Sequence, residues 1–155
     1  MLKPLVSLVG ISLVCAVLLA TTRTQTADSI HRNREAQTWR LAFDLVGAFA
    51  TTNLDFASDV LILESGRRLV RGTVAGYAGD IGLLAALDEQ QRLIGVRVTR
   101  HNETPGLGDF IDVQRNPWIL QFGQRPLASV DSVTGATITS LAVKRGVRQL
   151  LAGEQ

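Results

Sequence analysis

The sequence predicts an α+β fold: a single N-terminal transmembrane helix followed by one domain with a mostly antiparallel sheet and flanking helices. Three observations carry this. A charge-free run of 19 residues separates Lys3 from Arg23. From Val60 onward, short apolar segments alternate with polar or glycine-containing turns, the pattern of strands in an antiparallel sheet. From Ile138 to Leu151 the spacing turns helical, with Val143, Val147, Leu150 and Leu151 on one apolar stripe. A length of 155 residues suits one domain of ordinary size.

The apolar run would rise roughly 28 Å as a helix, close to the hydrocarbon thickness of a bilayer. A cleaved signal has a shorter apolar region and small residues at both positions before the cut, of which Leu18-Leu-Ala20 offers one. Residues 1–24 are therefore read as a membrane anchor, or uncleaved signal anchor. Arg23, Arg32, Arg34 and Arg40 after the span favour a cytoplasmic domain by the positive-inside rule. The short basic tip followed at once by the apolar run has instead the form of a signal anchor.

Residues 25–57 read as a helical membrane-proximal region. Asp28 or Ser29 would cap it, Ile30, Trp39, Leu41, Ala42, Leu45 and Phe49 would supply its apolar positions, and a break is expected near Gly47. Residues 58–155 form the folded domain. Its expected strands are Val60–Leu63, Leu69–Ala75, Ile81–Leu87 and Leu93–Arg100, the last two joined as a hairpin through Asp88-Glu-Gln-Gln91. Asn116 to Phe122 reads as a core-covering helical turn with two aromatics.

Composition narrows the chemistry. The net charge is +2, and the 14 arginines and 2 lysines are spread along the chain, unlike the basic stripe of a nucleic-acid binder. Cys15 is the single cysteine, and His31 and His101 are far apart, which excludes an intrachain disulfide and a cysteine-held zinc or iron–sulfur site. No glycine-rich dinucleotide fingerprint follows a strand, and no acid–base pair or nucleophile triad stands out. A redox role would need an organic cofactor.

Two stretches stand apart. In His101-Asn-Glu-Thr-Pro-Gly-Leu-Gly-Asp109, Pro105-Gly106 suits the centre of a type II turn, and Gly108 allows close approach of the backbone. In Asp131-Ser-Val-Thr-Gly-Ala-Thr-Ile-Thr-Ser140, the four hydroxyls of Ser132, Thr134, Thr137 and Thr139 crowd a glycine turn where the apolar run Leu127–Val130 gives way to the last helix. A strand ending here and a helix beginning here would leave backbone N–H groups facing outward, a seat for an anion.

Together, Glu103-Thr-Pro-Gly-Leu-Gly108 and Asp131-Ser-Val-Thr-Gly-Ala-Thr137 resemble the FMN-binding domain of membrane electron-transport complexes. The similarity is greatest to the G subunit of the Rnf complex and extends to the C subunit of the sodium-translocating NADH:quinone reductase. It covers most of residues 75–150, with Gly76-Tyr77, the hairpin and Pro117-Trp-Ile included.

The resemblance implies covalent FMN, bound by a phosphoester from its phosphate to Thr137. It assigns Asp131, Thr134, Gly135 and Ala136 to the motif, with Thr134 as the expected helix cap, and Glu103, Thr104, Leu107 and Gly108 to contacts with the flavin. It implies a Mg²⁺-dependent flavin transferase, using FAD, as maturation partner. Other subunits of a ferredoxin- and NAD-linked ion-translocating complex would be redox partners. The flavin domain would lie on the outer, periplasmic face of a bacterial inner membrane, against the arginine count. Two other roles use the same residues: an extracytoplasmic flavoprotein reductase component, and a membrane-anchored binding module without redox function. The chain departs from the Rnf G pattern in a compressed stretch from Phe122 to Asp131.

Overall fold

A computed structural model describes residues 2–47 and 59–153, apart from the side chains of 2–5, 28, 31 and 34. Helix α1 runs without interruption over Leu2–Val46. The helix start expected at Asp28 or Ser29 is absent, because no glycine or proline lies between Gly10 and Gly47 to break the hydrogen-bond ladder. The expected break near Gly47 is the helix end. Gly47 takes φ 76° and donates its N–H to the Phe43 carbonyl at 2.8 Å, as a glycine closing a helix does. The rest of the expected 25–57 region, residues 48–57, lies outside the described residues.

The chain divides into two units, residues 1–37 and 38–155. The first is helical, and its Val6–Ala27 stretch, mean hydropathy 1.9, is long and apolar enough to cross a membrane. Hydroxyls within it bond back to the helix: Ser12 to the Leu8 carbonyl at 2.8 Å, and Thr26 to the Thr22 carbonyl at 2.6 Å. Such bonds satisfy polar side chains where water is scarce.

The second unit is built on four strands: β1 (Val60–Ile62), β2 (Arg68–Ala75), β3 (Asp80–Leu87) and β4 (Leu93–Arg100). They pair in sequence order as an antiparallel meander, each within a residue or so of its predicted bounds. Val74 faces Ile81 across β2–β3, and Ala85 faces Val96 across β3–β4.

Both faces of this sheet are covered, so β3 is buried from Ile81 through Leu87. Its odd residues, Ile81, Leu83 and Ala85, meet helix α2 (Thr137–Ala152) and the aromatic trio Phe110, Trp118 and Phe122. Its even residues, Leu84 and Ala86, meet Leu41, Ala42, Leu45 and Val46 at the end of α1. Each large aliphatic side chain buried this way stabilises the fold by about 1.5–3 kcal/mol.

On the α1 side, Arg97 is 8% exposed and its guanidinium reaches the Asp44 carboxylate at 2.6 Å. On the α2 side, helix and strands come close because two positions have no side chain. A Cβ at Gly146 would sit 2.4 Å from Leu83 Cδ1, and one at Gly72 would sit 2.5 Å from Leu150 Cδ2.

Between β4 and α2 the chain makes three short 3-10 turns. The second, Pro117–Gln121, is the helical turn expected there, opened by Asn116, whose Oδ1 accepts the Trp118 N–H at 2.9 Å. The third, Leu127–Ser129, replaces the strand expected before the hydroxyl-rich stretch. Pro126 holds φ −56° at its start, and the Ser129 N–H closes the turn on the Pro126 carbonyl at 2.9 Å.

Candidate functional site

The two singled-out stretches meet in space. Immediately beyond β4, the Thr104 carbonyl accepts the Leu107 N–H at 3.1 Å and the Gly108 N–H at 2.7 Å. With Pro105 at the first central position and Gly106 at φ 85°, this is the type II turn that the sequence predicts. Leu107, which closes the turn, is 57% exposed.

The second stretch folds into a similar turn. The Ala136 N–H donates to the Val133 carbonyl at 3.0 Å, and Gly135 takes φ 83°. Helix α2 then starts at Thr137 with Ala136 as its cap residue. Thr134 is not the cap, contrary to expectation: it sits two positions too early, and no side chain caps the helix. The buried Ser140 hydroxyl steadies the turn from within the helix. It donates to the Ala136 carbonyl at 2.9 Å and accepts the Val133 N–H at 3.0 Å. The first-turn N–H groups of α2, free of a capping side chain, face an anion favourably together with the helix dipole. The Thr137 side chain is exposed at this end.

Glu103 connects the pieces. The residue is 6% exposed. Oε1 accepts the backbone N–H groups of Tyr77 at 2.9 Å and Ala78 at 3.1 Å, in the β2–β3 turn. Oε2 accepts the Thr139 hydroxyl at 2.5 Å, in the first turn of α2. Two glycines make room for it. A Cβ at Gly76 would lie 2.4 Å from Glu103 Oε1, and one at Gly108 would lie 2.4 Å from Glu103 Cβ. The close approach expected at Gly108 is therefore an approach to Glu103.

These contacts shape a pocket of about 340 Å³, lined by Tyr77, Glu103, Thr104, Leu107, Gly135, Ala136, Thr137, Ile138 and Thr139. That volume falls within the usual range for small-molecule sites. Of the residues assigned from sequence, Glu103, Thr104, Leu107, Gly135, Ala136 and Thr137 line it. Gly108 stands behind Glu103. Thr134 opens on an adjoining groove of about 480 Å³ with Phe110, Arg115 and Asn116. The exposed Asp131 contributes its backbone, whose carbonyl accepts the Trp118 Nε1–H at 2.9 Å and ties the stretch to the aromatic core. Arg115, in the groove, is engaged by Asp109 at 2.7 Å.

Tyr77, Ile138 and Thr139 line the pocket without having been assigned to it. Their signals were present: Tyr77 follows a glycine between two strands, and Thr139 is one of the four crowded hydroxyls. Among the described residues, no group of three or more His, Cys, Asp or Glu side chains could hold a metal ion.

The region that holds the pocket is similar to known proteins. Residues 76–152 match the FMN-binding domain family. The G subunit of the ion-translocating oxidoreductase complex of Pseudomonas aeruginosa (strain UCBPP-PA14) is 40% identical over 90 residues, which cover 49% of this chain and 42% of that protein. The G subunit of the same complex in Stutzerimonas stutzeri is 41% identical over 93 residues, covering 51% and 41% of the two chains. That of Shewanella baltica (strain OS223) is 28% identical over 172 aligned positions, covering 88% and 81%. The chain thus spans less than half the length of the first two relatives in the matched region. The pocket and both turns fall within the matched segment, and through residues 76–152 the chain belongs to the FMN-binding domain family, as a relative of the G subunit of the ion-translocating oxidoreductase complex.

Proposed function

We propose that this chain is the electron-carrier subunit of a membrane-bound, Rnf-type ion-translocating complex linked to ferredoxin and NAD, with FMN joined by a phosphoester to Thr137. One observation carries the reading: the pocket sets the exposed Thr137 side chain, at the start of α2, beside the Thr104–Leu107 turn. The residues present fit the cofactor. A phosphodiester keeps one negative charge, and the uncapped first turn of α2 would stabilise it by roughly 0.3–1 kcal/mol. Thr137 is exposed, and the small Gly135 and Ala136 before it would let a modifying enzyme reach its hydroxyl.

The exposed Tyr77, Leu107 and Ile138 offer apolar surface to a planar ring and would exclude water from one side of it. Thr104 would offer a polar edge, and Gly108, with Glu103, would hold the turn in place. Asp131 and Thr134 would belong to the sequence read by the flavin transferase, since neither lines the pocket. Bound flavin would supply one- and two-electron transfer. Residues 1–24 would anchor the chain in a bacterial inner membrane, 25–57 would connect, and 58–155 would present the flavin on the periplasmic face to the other subunits.

The test is intact mass and peptide mapping after co-expression with a flavin transferase. The wild-type chain should gain one FMN on the peptide containing Thr137. Thr137→Val should gain none while melting at an unchanged temperature. Covalent flavin surviving in that variant would sink the assignment.

A further inference from the structure

Glu103 is buried, yet its three hydrogen bonds all come from uncharged donors: the N–H groups of Tyr77 and Ala78 and the Thr139 hydroxyl. Among the described residues no cation pairs with it. The three donors replace the water that burial removes, and they leave the net charge in place. Glu103 lines the pocket. Elsewhere in the fold a buried charge is neutralised, as Arg97 is by Asp44.

We propose that Glu103 lowers the reduction potential of a flavin held at Thr137 by keeping an unneutralised negative charge on the pocket wall. The inference rests on the FMN reading of this pocket. Adding two electrons and one proton to a neutral isoalloxazine leaves the ring with one negative charge. In the test below the electrons come from an electrode through a mediator, and the proton comes from solvent. A carboxylate on the pocket wall repels the added charge, and it does so more strongly than it would in bulk water. The oxidised form is favoured, and the potential falls.

A role confined to bracing the pocket makes a different prediction, and two substitutions separate the two. Glu103→Gln keeps a carbonyl oxygen for the Tyr77 and Ala78 N–H groups, offers an amide to Thr139 and removes the charge. Thr139→Val keeps the charge and removes one of its donors. If the charge acts on the flavin, the two variants move the potential in opposite directions, Glu103→Gln upward and Thr139→Val downward. If Glu103 only braces the pocket, both loosen it and shift the potential the same way, or not at all.

The experiment is a spectroelectrochemical titration of the full-length chain in detergent, after intact mass has established covalent flavin on each protein. The expected result for Glu103→Gln is a change of at least about tenfold in the oxidised-to-reduced ratio at fixed poise, equal to about 30 mV for a two-electron couple. Shifts of the same sign in both variants, or none in either, would overturn the proposal while leaving the FMN reading intact. A wild-type chain without covalent flavin would remove that reading and this inference with it. Should Glu103→Gln fail to take up flavin, the direction of the Thr139→Val shift decides: downward supports the proposal, and any other result overturns it.

Discussion

Two carboxylates in this domain bond in the same way and sit in different surroundings. Asp88, in the β3–β4 turn, accepts the N–H groups of Gln90 and Arg92 on Oδ1, at 3.0 and 2.8 Å, and the Arg92 Nε–H on Oδ2 at 2.7 Å. Glu103 likewise takes two backbone N–H groups on one oxygen and one side chain on the other. Asp88 joins residues within one turn, at the surface, and its side-chain partner is a cation. Glu103 joins three separate segments, inside the fold, and its side-chain partner is a hydroxyl. The bond inventory alone does not tell these roles apart. Sequence separation, burial and the charge of the third donor do.

The largest effect should follow from truncating both. Glu103→Ala leaves two backbone donors and the Thr139 hydroxyl without an acceptor in a dry site, and should cost about 3 kcal/mol in urea unfolding. Asp88→Ala returns its donors to water and should leave the urea midpoint nearly unchanged. Equal losses in the two variants would erase the distinction.

The next effect concerns the glycines around Glu103. Gly108→Ala drives a methyl against Glu103 Cβ and should destabilise by about 2 kcal/mol, through overpacking. Gly106→Ala meets open space and costs only its φ of 85°, about 1 kcal/mol. Thermal unfolding of the two variants side by side checks the order.

The smallest effect is acid sensitivity at Asp88. Partial desolvation raises its carboxyl, but the hydrogen bonds and charge of Arg92, with the Gln90 N–H, outweigh this and hold it below the usual carboxylate range. A lowered folded value stabilises above the unfolded value of about 3.9, and that contribution disappears as pH falls through the folded value. Any pH-dependent stability difference between wild type and Asp88→Asn should therefore be constant near neutrality, begin to shrink at about pH 4 and disappear only below the folded value.

What could be read from the sequence tracks how local the cause is. The four strands, the Pro105-Gly106 turn and the last helix follow from spacing and turn chemistry within a few residues, and they were legible. Leu127–Val130 looked like a strand because apolar residues dominate it, but Pro126 and the Ser129 closure bend it into a 3-10 turn. Thr134 looked like a cap because hydroxyls usually cap helices, but the turn closed by Ala136 delays the start to Thr137. The bonds of Glu103 were out of reach of any local pattern, since its partners lie 25, 26 and 36 residues away. The trace they left was indirect: two glycines, Gly76 and Gly108, where a side chain has no room.

Burial of β3 on both faces also has a consequence for how the chain must be made. Seven consecutive residues, Ile81 to Leu87, carry no charge and no proline, and helix α2, which covers one side of them, is synthesised some fifty residues later. Until then the strand is an apolar segment with an uncovered face, the kind that pairs with another copy. Asp80 and Asp88 stand at its two ends, and charges so placed discourage such pairing. The hairpin carboxylate that matters least to the folded state can thus matter most to nascent chains, and replacing both aspartates by asparagine should appear first as lower soluble yield.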